Sequence, residues 1–388
     1  MKTTSKALRA ALTTLLLLSV TMVRAQLASG YYRFLNTETG RYLTVTNDNL
    51  GYSLDAAFSA LVTVKGFDNV VSSPASVIYV RNAGQGQYDV VAQGADSYKL
   101  TTFHFNMSSK GNNVYNAYAR YLTQTYYLGD NVSEGKTRSQ ADINGTAIDW
   151  YVLPLTTADG QYFGFTPEVQ DRSDSRYTTC YAAFPLQPYD AGVKAYYVCA
   201  IKGTYAVVDE ISGTIPALTP VIIKCTSRTP NGNRATIPDN SPTAITQNVL
   251  KGALFEKTNG LNPQYTPYDE NTMRILGLTA QGKIGFVKSL SLYRVKANKA
   301  YLPVEPGSPD ELTIISRADY EKQFGPIGDE LPGDVNGDNK IDVGDIMAVI
   351  NYMAGQTAGI TLKTADVNGD SKVDVGDIMA IINIMANQ

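Results

Sequence analysis

The sequence predicts a mostly β protein that ends in a small all-α module. Two observations predict the β part: runs that alternate apolar and polar residues, and turns rich in Gly, Asn and Thr between those runs. The third observation is a unit written twice after residue 333, in which apolar residues recur at helical spacing. A chain of 388 residues with 44% hydrophobic content has room for two β-domains ahead of the α module.

The N-terminus has the features of a secretory signal peptide. Lys2, Lys6 and Arg9 precede an apolar run over residues 10–23, and residues 23–25 read Val-Arg-Ala, a pattern that signal peptidase cleaves. We therefore assign residues 1–25 to a signal peptide and expect a secreted or extracellular protein. No later run reaches the roughly 18 apolar residues of a transmembrane helix, so we expect no span in the mature chain.

Charge, cysteine and histidine content exclude several classes of site. The net charge is −3 and no basic patch is visible, so nucleic-acid binding is not expected. Cys180, Cys199 and Cys225 are too few for a disulfide scaffold, and at most one pair could close. Because His104 is the single histidine, zinc sites with several histidines are excluded, and a Ser-His-Asp or Cys-His mechanism would have to use it.

Residues 27–155 are predicted to form a β-domain of three similar units. Strand patterns flank a Thr-Gly turn at residues 39–40, and related patterns return over residues 76–91 and 113–154. These units contain segments similar to Gly-x-Tyr-Leu, and the last unit ends in Trp150. In both features the region resembles the ricin-type β-trefoil lectins, although Asp149-Trp150-Tyr151 replaces the family's Gln-x-Trp signature. The resemblance implies a β-trefoil-like fold with shallow glycan pockets, built from an aromatic platform and an acidic or amide residue. The candidates are Tyr31, Tyr42, Tyr126, Tyr127, Asp130 and Asn131, of which Tyr126 and Asp130 are the ones we single out. The alternative is that these tyrosines only suit half-buried strands.

Residues 156–306 continue the strand pattern with longer apolar runs, such as residues 192–199 and 219–225. Short strands at this spacing predict an antiparallel β-sandwich. Residues 307–332 follow as a linker, in which a short helix can begin after Ser316 and end at Gly325. We expect this linker to let the last module, residues 333–388, project from the β-domains.

The repeated unit places oxygen-bearing side chains at positions 1, 3, 5, 9 and 12 of a loop, and position 7 contributes its backbone carbonyl. Calcium takes about 6–8 oxygen ligands, so each loop can wrap one ion and the chain should hold two. Lysine at position 7 is harmless because only its carbonyl binds. The ligand positions are Asp334, Asn336, Asp338, Lys340, Asp342 and Asp345, repeated 32 residues later as Asp366, Asn368, Asp370, Lys372, Asp374 and Asp377.

Both copies depart from an EF-hand in the same way. Glycine is at position 4 (Gly337, Gly369) rather than 6, Asp replaces Glu at position 12, and one helix follows each loop, with apolar residues such as Ile346 and Val349 at helical spacing. A loop with one exiting helix, duplicated in tandem, resembles the type I dockerin family.

That resemblance implies a bacterial protein that docks to a cohesin-like partner. In the family, loop positions 10 and 11 face the cohesin, and here these are Val343 and Gly344, repeated as Val375 and Gly376. Many members carry a hydroxyl pair there, so the pair in this chain suggests an apolar contact instead.

The function expected from the sequence is that of a secreted, non-catalytic, calcium-binding dockerin-containing protein, which displays glycan-binding or accessory β-domains and docks to a partner. One alternative is a polysaccharide-degrading glycoside hydrolase with a carboxylate pair in residues 156–306, because dockerins are mostly attached to such enzymes and two carboxylates suffice for the reaction. Another is a surface structural protein. The candidate carboxylates for hydrolysis include Glu168, Asp171, Asp174, Asp209, Glu210 and Asp269.

Overall fold

A computed structural model of the chain describes residues 26–46, 61–94, 104–131, 137–140, 146–155, 161–255, 266–325, 327, 332–338, 340–356 and 360–387. The regular secondary structure of these residues is mostly β-strand, with the α-helices toward the C-terminus, as the sequence predicts. The signal peptide assigned to residues 1–25 lies outside this set. Among the described residues, no helix combines the length and the apolar character needed to cross a membrane.

The first β unit is a closed antiparallel barrel. Its ring runs β1, β4, β5, β6, β7, β11 and back to β1 through backbone hydrogen bonds, so no ring strand has an open edge. A β-trefoil contains a ring of this kind, but the assignment of this unit to the β-trefoil fold stays a prediction. The strands are β1 (Gly30–Asn36), β2 (Arg41–Val45), β3 (Leu61–Lys65), β4 (Ile78–Gly84), β5 (Gln87–Ala92), β6 (Phe105–Gly111), β7 (Val114–Tyr121), β8 (Gln124–Asn131), β9 (Thr137–Gln140), β10 (Thr146–Ala147) and β11 (Asp149–Pro154).

Trp150 fills the centre of this barrel. Its side chain is fully buried beside Phe34, with ring centroids 6.5 Å apart, and Phe105 belongs to the same cluster. The indole Nε1 donates to the carbonyl of Leu128 at 2.9 Å, so its polar atom is satisfied. The tryptophan that marks the end of the third unit in the sequence is thus a core residue.

The second β unit consists of a ten-stranded and a three-stranded sheet. Among the described strands of this unit, all pairs are antiparallel except the parallel pair β17–β24. The ten-stranded order is β13-β14-β18-β16-β17-β24-β22-β21-β23-β20, and the smaller sheet is β12-β19-β15. The strands are β12 (Phe163–Gly164), β13 (Val169–Gln170), β14 (Arg176–Cys180), β15 (Gln187–Pro188), β16 (Lys194–Lys202), β17 (Tyr205–Ile211), β18 (Val221–Cys225), β19 (Arg234–Thr236), β20 (Lys251–Ala253), β21 (Met273–Leu278), β22 (Ile284–Val287), β23 (Lys299–Pro303) and β24 (Glu311–Ser316).

Strand β24 lies beyond residue 306, where the sequence interpretation ends the sandwich. It pairs with β17 on one side and β22 on the other, and its Leu312 is fully buried. The stretch assigned to the linker therefore begins with a strand inside the sheet. The polar Gly-Ser-Pro-Asp segment before it is a turn between strands, which composition alone does not distinguish from a linker.

The two β units pack against each other through buried polar contacts. The fully buried Arg33 of the barrel donates to the carbonyl of Tyr162 at 2.9 Å and to Oγ of Ser76 at 3.1 Å. Asn298 donates from Nδ2 to Oε1 of Gln93 across the interface at 3.0 Å. Burial lowers the pKa of Arg33 to about 10, and these acceptors compensate the buried charge. We call the two units together, residues 26–316, the β-body.

Four helices follow the β-body: α1 (Arg317–Phe324), α2 (Val343–Met353), α3 (Leu362–Ala365) and α4 (Val375–Ala386). As predicted, α1 begins after Ser316, whose side chain accepts from the backbone of Asp319, and ends at Gly325 with φ 91°. Helices α2 and α4 each follow one copy of the repeated loop. The last three helices form a small core around Val349 and Ile381, both fully buried.

Candidate metal centre and docking face

The first loop is folded by its own acidic side chains. Oδ1 of Asp334, at position 1, accepts from the backbone N–H groups of Gly337 at 2.8 Å and Asp338 at 3.0 Å. Oδ1 of Asn336 accepts from the N–H of Asp338 at 2.9 Å. Positions 1, 3 and 5 therefore stand around one tight turn, as a calcium loop requires.

The second loop repeats this arrangement. Oδ1 of Asp366 accepts from the N–H of Asp370 at 3.0 Å, and Oδ1 of Asn368 accepts from the same group at 2.9 Å. Oδ2 of Asp366 accepts from Ser371 at 2.8 Å. The agreement between the copies means that the spacing of acidic residues, read from the sequence, specifies one local geometry.

Position 12 ties each loop to its helix. Asp345 is fully buried, and its Oδ1 accepts from the N–H of Val335 at 2.7 Å while Oδ2 accepts from the N–H of Asp342 at 2.9 Å. Burial raises the pKa of Asp345, and the charge of Asp334 adds to the rise, against the opposing effect of the backbone N–H donors. In the second copy Asp377 is also fully buried and accepts from Asn368 and Asp374.

The donor set fits a hard cation. Carboxylate and amide oxygens with a backbone carbonyl are the ligands that calcium prefers over softer metals. Within the described residues no three acidic, histidine or cysteine side chains already converge on one point. Several of these oxygens accept backbone N–H groups instead, such as Oδ1 of Asp338 from Lys340. The side chains that would hold an ion thus also support the turn of the loop through the backbone.

Backbone conformation explains the displaced glycine. Gly337 and Gly369, at position 4, both have φ 74°, in the left-handed region that favours glycine. Position 6, where EF-hands have glycine, is Ser371 in the second loop, with φ 68°. The second loop thus uses two left-handed residues and has a glycine at one of them. The corresponding Asn339 of the first loop lies outside the described residues.

The loops also build the first turns of the helices. Asp342 is the N-cap of α2 and Asp345 completes a capping box with it, while Asp374 and Asp377 do the same for α4. A Cβ added at Gly344 would lie 2.8 Å from Oδ1 of Asp342, and one at Gly376 would lie 2.8 Å from Nδ2 of Asn368, so a larger residue requires these side chains to shift. Close packing inside the loop thus favours a small residue at both positions, whose contact with a partner stays a prediction.

Helices α2 and α4 each expose an apolar face. On α2 it consists of Val343, Met347 and Ile350, which are 62%, 50% and 41% exposed. On α4 it consists of Val375, Met379 and Ile382, at 60%, 51% and 41%. The spacing i, i+4, i+7 puts each set on one side of its helix. We call these sets the α2 face and the α4 face, and the β-body leaves both equally open.

Sequence reasoning found part of these faces. Val343 and Val375 were predicted to contact a partner, and the structure places them at the solvent-exposed start of each face. Met347 and Met379 were missed. Ile350 and Ile382 stand in the apolar helix pattern of the sequence beside Val349 and Ile381, but the pattern did not predict that they are exposed. The helices are apolar on both sides, a pattern that indicates a second contact surface beyond the core.

The glycan candidates of the barrel have other surroundings. Asp130 is fully buried, and its oxygens accept from Nε of Arg41 at 2.8 Å and from Oγ1 of Thr63 at 2.9 Å. It is therefore a structural residue and does not line a surface pocket, which corrects its assignment as a glycan ligand. Tyr126 is half-buried, packs against the barrel core and donates to Gln124.

The six candidate carboxylates of the hydrolase alternative are engaged separately. Oε2 of Glu168 lies 3.0 Å from Nζ of Lys299, and although burial opposes it, the lysine charge holds the pKa of Glu168 low. Hydrogen bonding and charge from Arg317 likewise lower the pKa of Asp209. A general acid needs a raised pKa. The others hold turns or ion pairs: Asp171, Asp174, Glu210 and Asp269.

His104 and the cysteines have ordinary surroundings. Nδ1 of the half-exposed His104 lies 2.9 Å from Oδ1 of Asp89. The three cysteines are free, and burial raises the pKa of the Cys180 and Cys225 thiols to about 12 and that of Cys199 to about 11. At neutral pH they are protonated and poor nucleophiles.

Comparison with known families identifies the C-terminal module. Residues 332–386 match the family model described as Dockerin type I domain. The resemblance read from the repeated loops is thereby confirmed, while the ricin-type resemblance of residues 27–155 receives no support from this match. No curated protein matches the chain. The matched segment contains both loops, both capping boxes and both apolar faces, and domains of this type bind calcium and dock to cohesin partners.

Proposed function

We propose that the dockerin module at residues 332–386 attaches the β-body to a cohesin-like partner through the α2 and α4 faces, with one calcium ion in each loop. The observation that carries the proposal is the pair of equally exposed apolar faces, each on a helix whose first turn is built by a calcium loop. Exposed apolar patches of this kind mark contact surfaces. Val and Met at the contact suit an apolar partner surface.

Calcium is required in this scheme because each loop gathers four carboxylates. Without a cation these carboxylates repel one another, and the buried position-12 carboxylates, Asp345 and Asp377, accept only backbone N–H groups among their described contacts. Each helix takes its orientation from the same carboxylate. Loss of the ion therefore displaces the apolar face and weakens docking.

The repeat supports two equivalent docking modes. The α2 and α4 faces carry the same residue types at the same spacing, and the exchanges along the two helices, Val349 for Ile381 and Tyr352 for Ile384, lie outside the faces. A half-turn rotation of the module presents almost the same surface. Either face can therefore engage the partner.

In this proposal the β-body is the part of the chain that the dockerin module attaches to the partner. The signal peptide proposed for residues 1–25 would export the protein, and the β-body would act without catalysis as a displayed accessory unit. The separate engagement of the six candidate carboxylates supports this assignment over the hydrolase. Assay for released reducing sugar on a panel of plant and host glycans separates the two, because only the hydrolase produces it.

Capture of a partner from the native secretome tests docking. We expect wild type to retain a cohesin-bearing protein in calcium and to release it in chelator. Asp345→Ala with Asp377→Ala should abolish capture, while either substitution alone weakens it partly, because one intact copy remains. A partner retained equally in chelator, or none recovered, favours a calcium-stabilised structural tail.

Glycan binding is a second candidate function, and one row of side chains favours it. Gln87, Asn106, Tyr118 and Tyr127 stand directly opposite one another across strands β5 to β8. Opposite residues share a face of the sheet, and all four are half-buried while Phe105 next to Asn106 points into the core. The row therefore lies on the outer surface of the barrel.

This row has the chemistry of a sugar platform. The rings of Tyr118 and Tyr127 are 5.5 Å apart, and the guanidinium of Arg120 lies 5.7 Å from the Tyr118 centroid. Aromatic rings can stack on the C–H face of a pyranose, while amides and a guanidinium bond its hydroxyls. Of the residues predicted from the sequence, the row keeps Tyr127 as a candidate in place of Tyr126 and Asp130.

A glycan array with the full chain tests the platform. Tyr127→Ala should reduce binding severalfold, whereas Tyr126→Phe, which removes only a hydroxyl group bonded to Gln124 and leaves the row intact, should not. Equal binding by the wild type and Tyr127→Ala, or no binding by either, would remove glycan recognition from this surface.

A further inference from the structure

Tyr320 links the first calcium loop to the β-body. Its side chain is almost fully buried, and its phenol donates to the carbonyl of Gly337 at 3.3 Å. Gly337 is position 4 of the loop, beside the ligands Asn336 and Asp338. The contact therefore joins helix α1 to the metal-binding segment itself.

Helix α1 is fixed firmly to the β-body. At its first residue, the guanidinium of Arg317 holds Asp209 of β17 through two bonds, Nε to Oδ1 at 2.9 Å and Nη2 to Oδ2 at 2.6 Å. One turn later the ring of Tyr320 packs edge-on against Tyr205 at 6.1 Å, and Phe324 packs on both. The helix is thus an extension of the sheet, in place of the projecting linker expected from the sequence.

The two loops differ in this contact. Gly337 is half-buried beside Tyr320, whereas its counterpart Gly369 in the second loop is exposed. The loops are otherwise nearly identical in sequence and in internal hydrogen bonds. The repeated sequence alone would make the two calcium loops equivalent. They differ in the surroundings of position 4, which is covered by Tyr320 in the first loop and exposed in the second.

We propose that Tyr320 is a positioning residue that couples calcium binding in the first loop to the seating of α1 on the β-body. The phenol holds the Gly337 carbonyl where the wrapped loop needs it, so the seated helix raises the affinity of the first loop for calcium. Linkage makes the effect reciprocal: calcium in the first loop stabilises the seated helix by the same factor. The second loop binds calcium independently of α1.

Calcium titration of the full chain by calorimetry tests the coupling. Asp366→Ala isolates the first loop and Asp334→Ala isolates the second. Tyr320→Phe removes one hydrogen bond and keeps the ring, so we expect calcium affinity to fall roughly two- to tenfold in the first-loop background and to stay unchanged in the second-loop background. Tyr301→Phe, which removes a phenolic hydroxyl group from β23, is the matched control and should change calcium affinity in neither background.

Hydrogen exchange on the chain with both loops intact gives a second readout, which does not depend on the loop variants folding. Amides of residues 317–324 should exchange more slowly in calcium than in chelator, and Tyr320→Phe should remove most of that difference. The proposal is overturned if Tyr320→Phe leaves the first-loop affinity unchanged, if it weakens both loops equally, or if calcium leaves α1 exchange unchanged in the wild type.

Discussion

At the residue scale, local backbone conformation and packing explain which amino acid occupies several positions, which composition alone does not. Glycine at positions 337 and 369 is favoured by a positive φ, and a small residue at position 344 by its contact with Asp342. The sequence shows these glycines, but only the structure separates the two causes. The structure likewise shows that Asp130 stabilises the fold. The sequence could not show this, because burial of one acidic residue among polar neighbours leaves no periodic pattern.

Ser371 is a strained residue in the second loop. A left-handed conformation destabilises a non-glycine residue by about 1–2 kcal/mol. Glycine avoids this strain but loses more conformational entropy on folding, which offsets about 0.5–1 kcal/mol of the gain. Ser371→Gly should therefore stabilise the module by about 0.5–1 kcal/mol. Gly369→Ala is the matched opposite, because its Cβ would meet open space and only φ opposes it. Urea unfolding of the calcium-loaded chain measures both, and a loss of stability with Ser371→Gly would contradict this assignment.

The structural role of Asp130 gives another expectation. Removing one partner of a buried ion pair costs about 3–5 kcal/mol, so Asp130→Ala should destabilise the barrel by roughly that amount. Tyr126→Phe on the same hairpin should cost little, since the tyrosine hydroxyl bonds only Gln124 in the described contacts. Denaturant midpoints compare them. Unaltered stability of Asp130→Ala would return Asp130 to the candidate ligand residues.

At the element scale, the strongest local patterns gave the right elements. Capping residues set the ends of α1, α2 and α4, and the acidic spacing set the loops, because these signals lie within a few residues of one another. Strand β24 was missed as part of the sheet, because its parallel pairing with β17 joins segments about a hundred residues apart in the chain. The outward faces of α2 and α4 were found only in part, since an all-apolar helix does not show which side is core.

The attachment of α1 should depend on pH through Asp209. Arg317 lowers the folded-state pKa of Asp209 from 3.8, so this stabilisation is complete above the unfolded pKa and is lost as pH falls through the lower folded value. The difference in urea midpoint between wild type and Asp209→Asn should be constant from neutral pH down to about pH 5, and should shrink below about pH 4. A difference that persists unchanged in strong acid would assign the stabilisation to contacts other than the ion pair.

At the scale of the whole molecule, the β-body and the module have different sources of stability. The body has large buried clusters in both units, whereas the module has a small core around Val349 and Ile381. Domains of the module's size usually need a metal or another constraint. The sequence predicted this division from length and composition, but not the contact of α1 with both parts.

Calorimetry with and without chelator should therefore separate two transitions. We expect chelator to lower the module transition strongly and to move the body transition little, because the body core contains no calcium loop among its described residues. A body transition that shifts as much as that of the module would mean that the two parts unfold as one unit.

Calcium-dependent docking through the two apolar faces is most directly tested by binding of the full chain to the immobilised cohesin-bearing partner captured from the native secretome, measured by biolayer interferometry. Wild type should bind in calcium and not in chelator. Met347→Glu or Met379→Glu alone should weaken binding partly, and the two together should abolish it while calcium binding by calorimetry remains. Equal binding by the double variant and the wild type, or wild-type binding that survives chelator, would contradict docking through these faces.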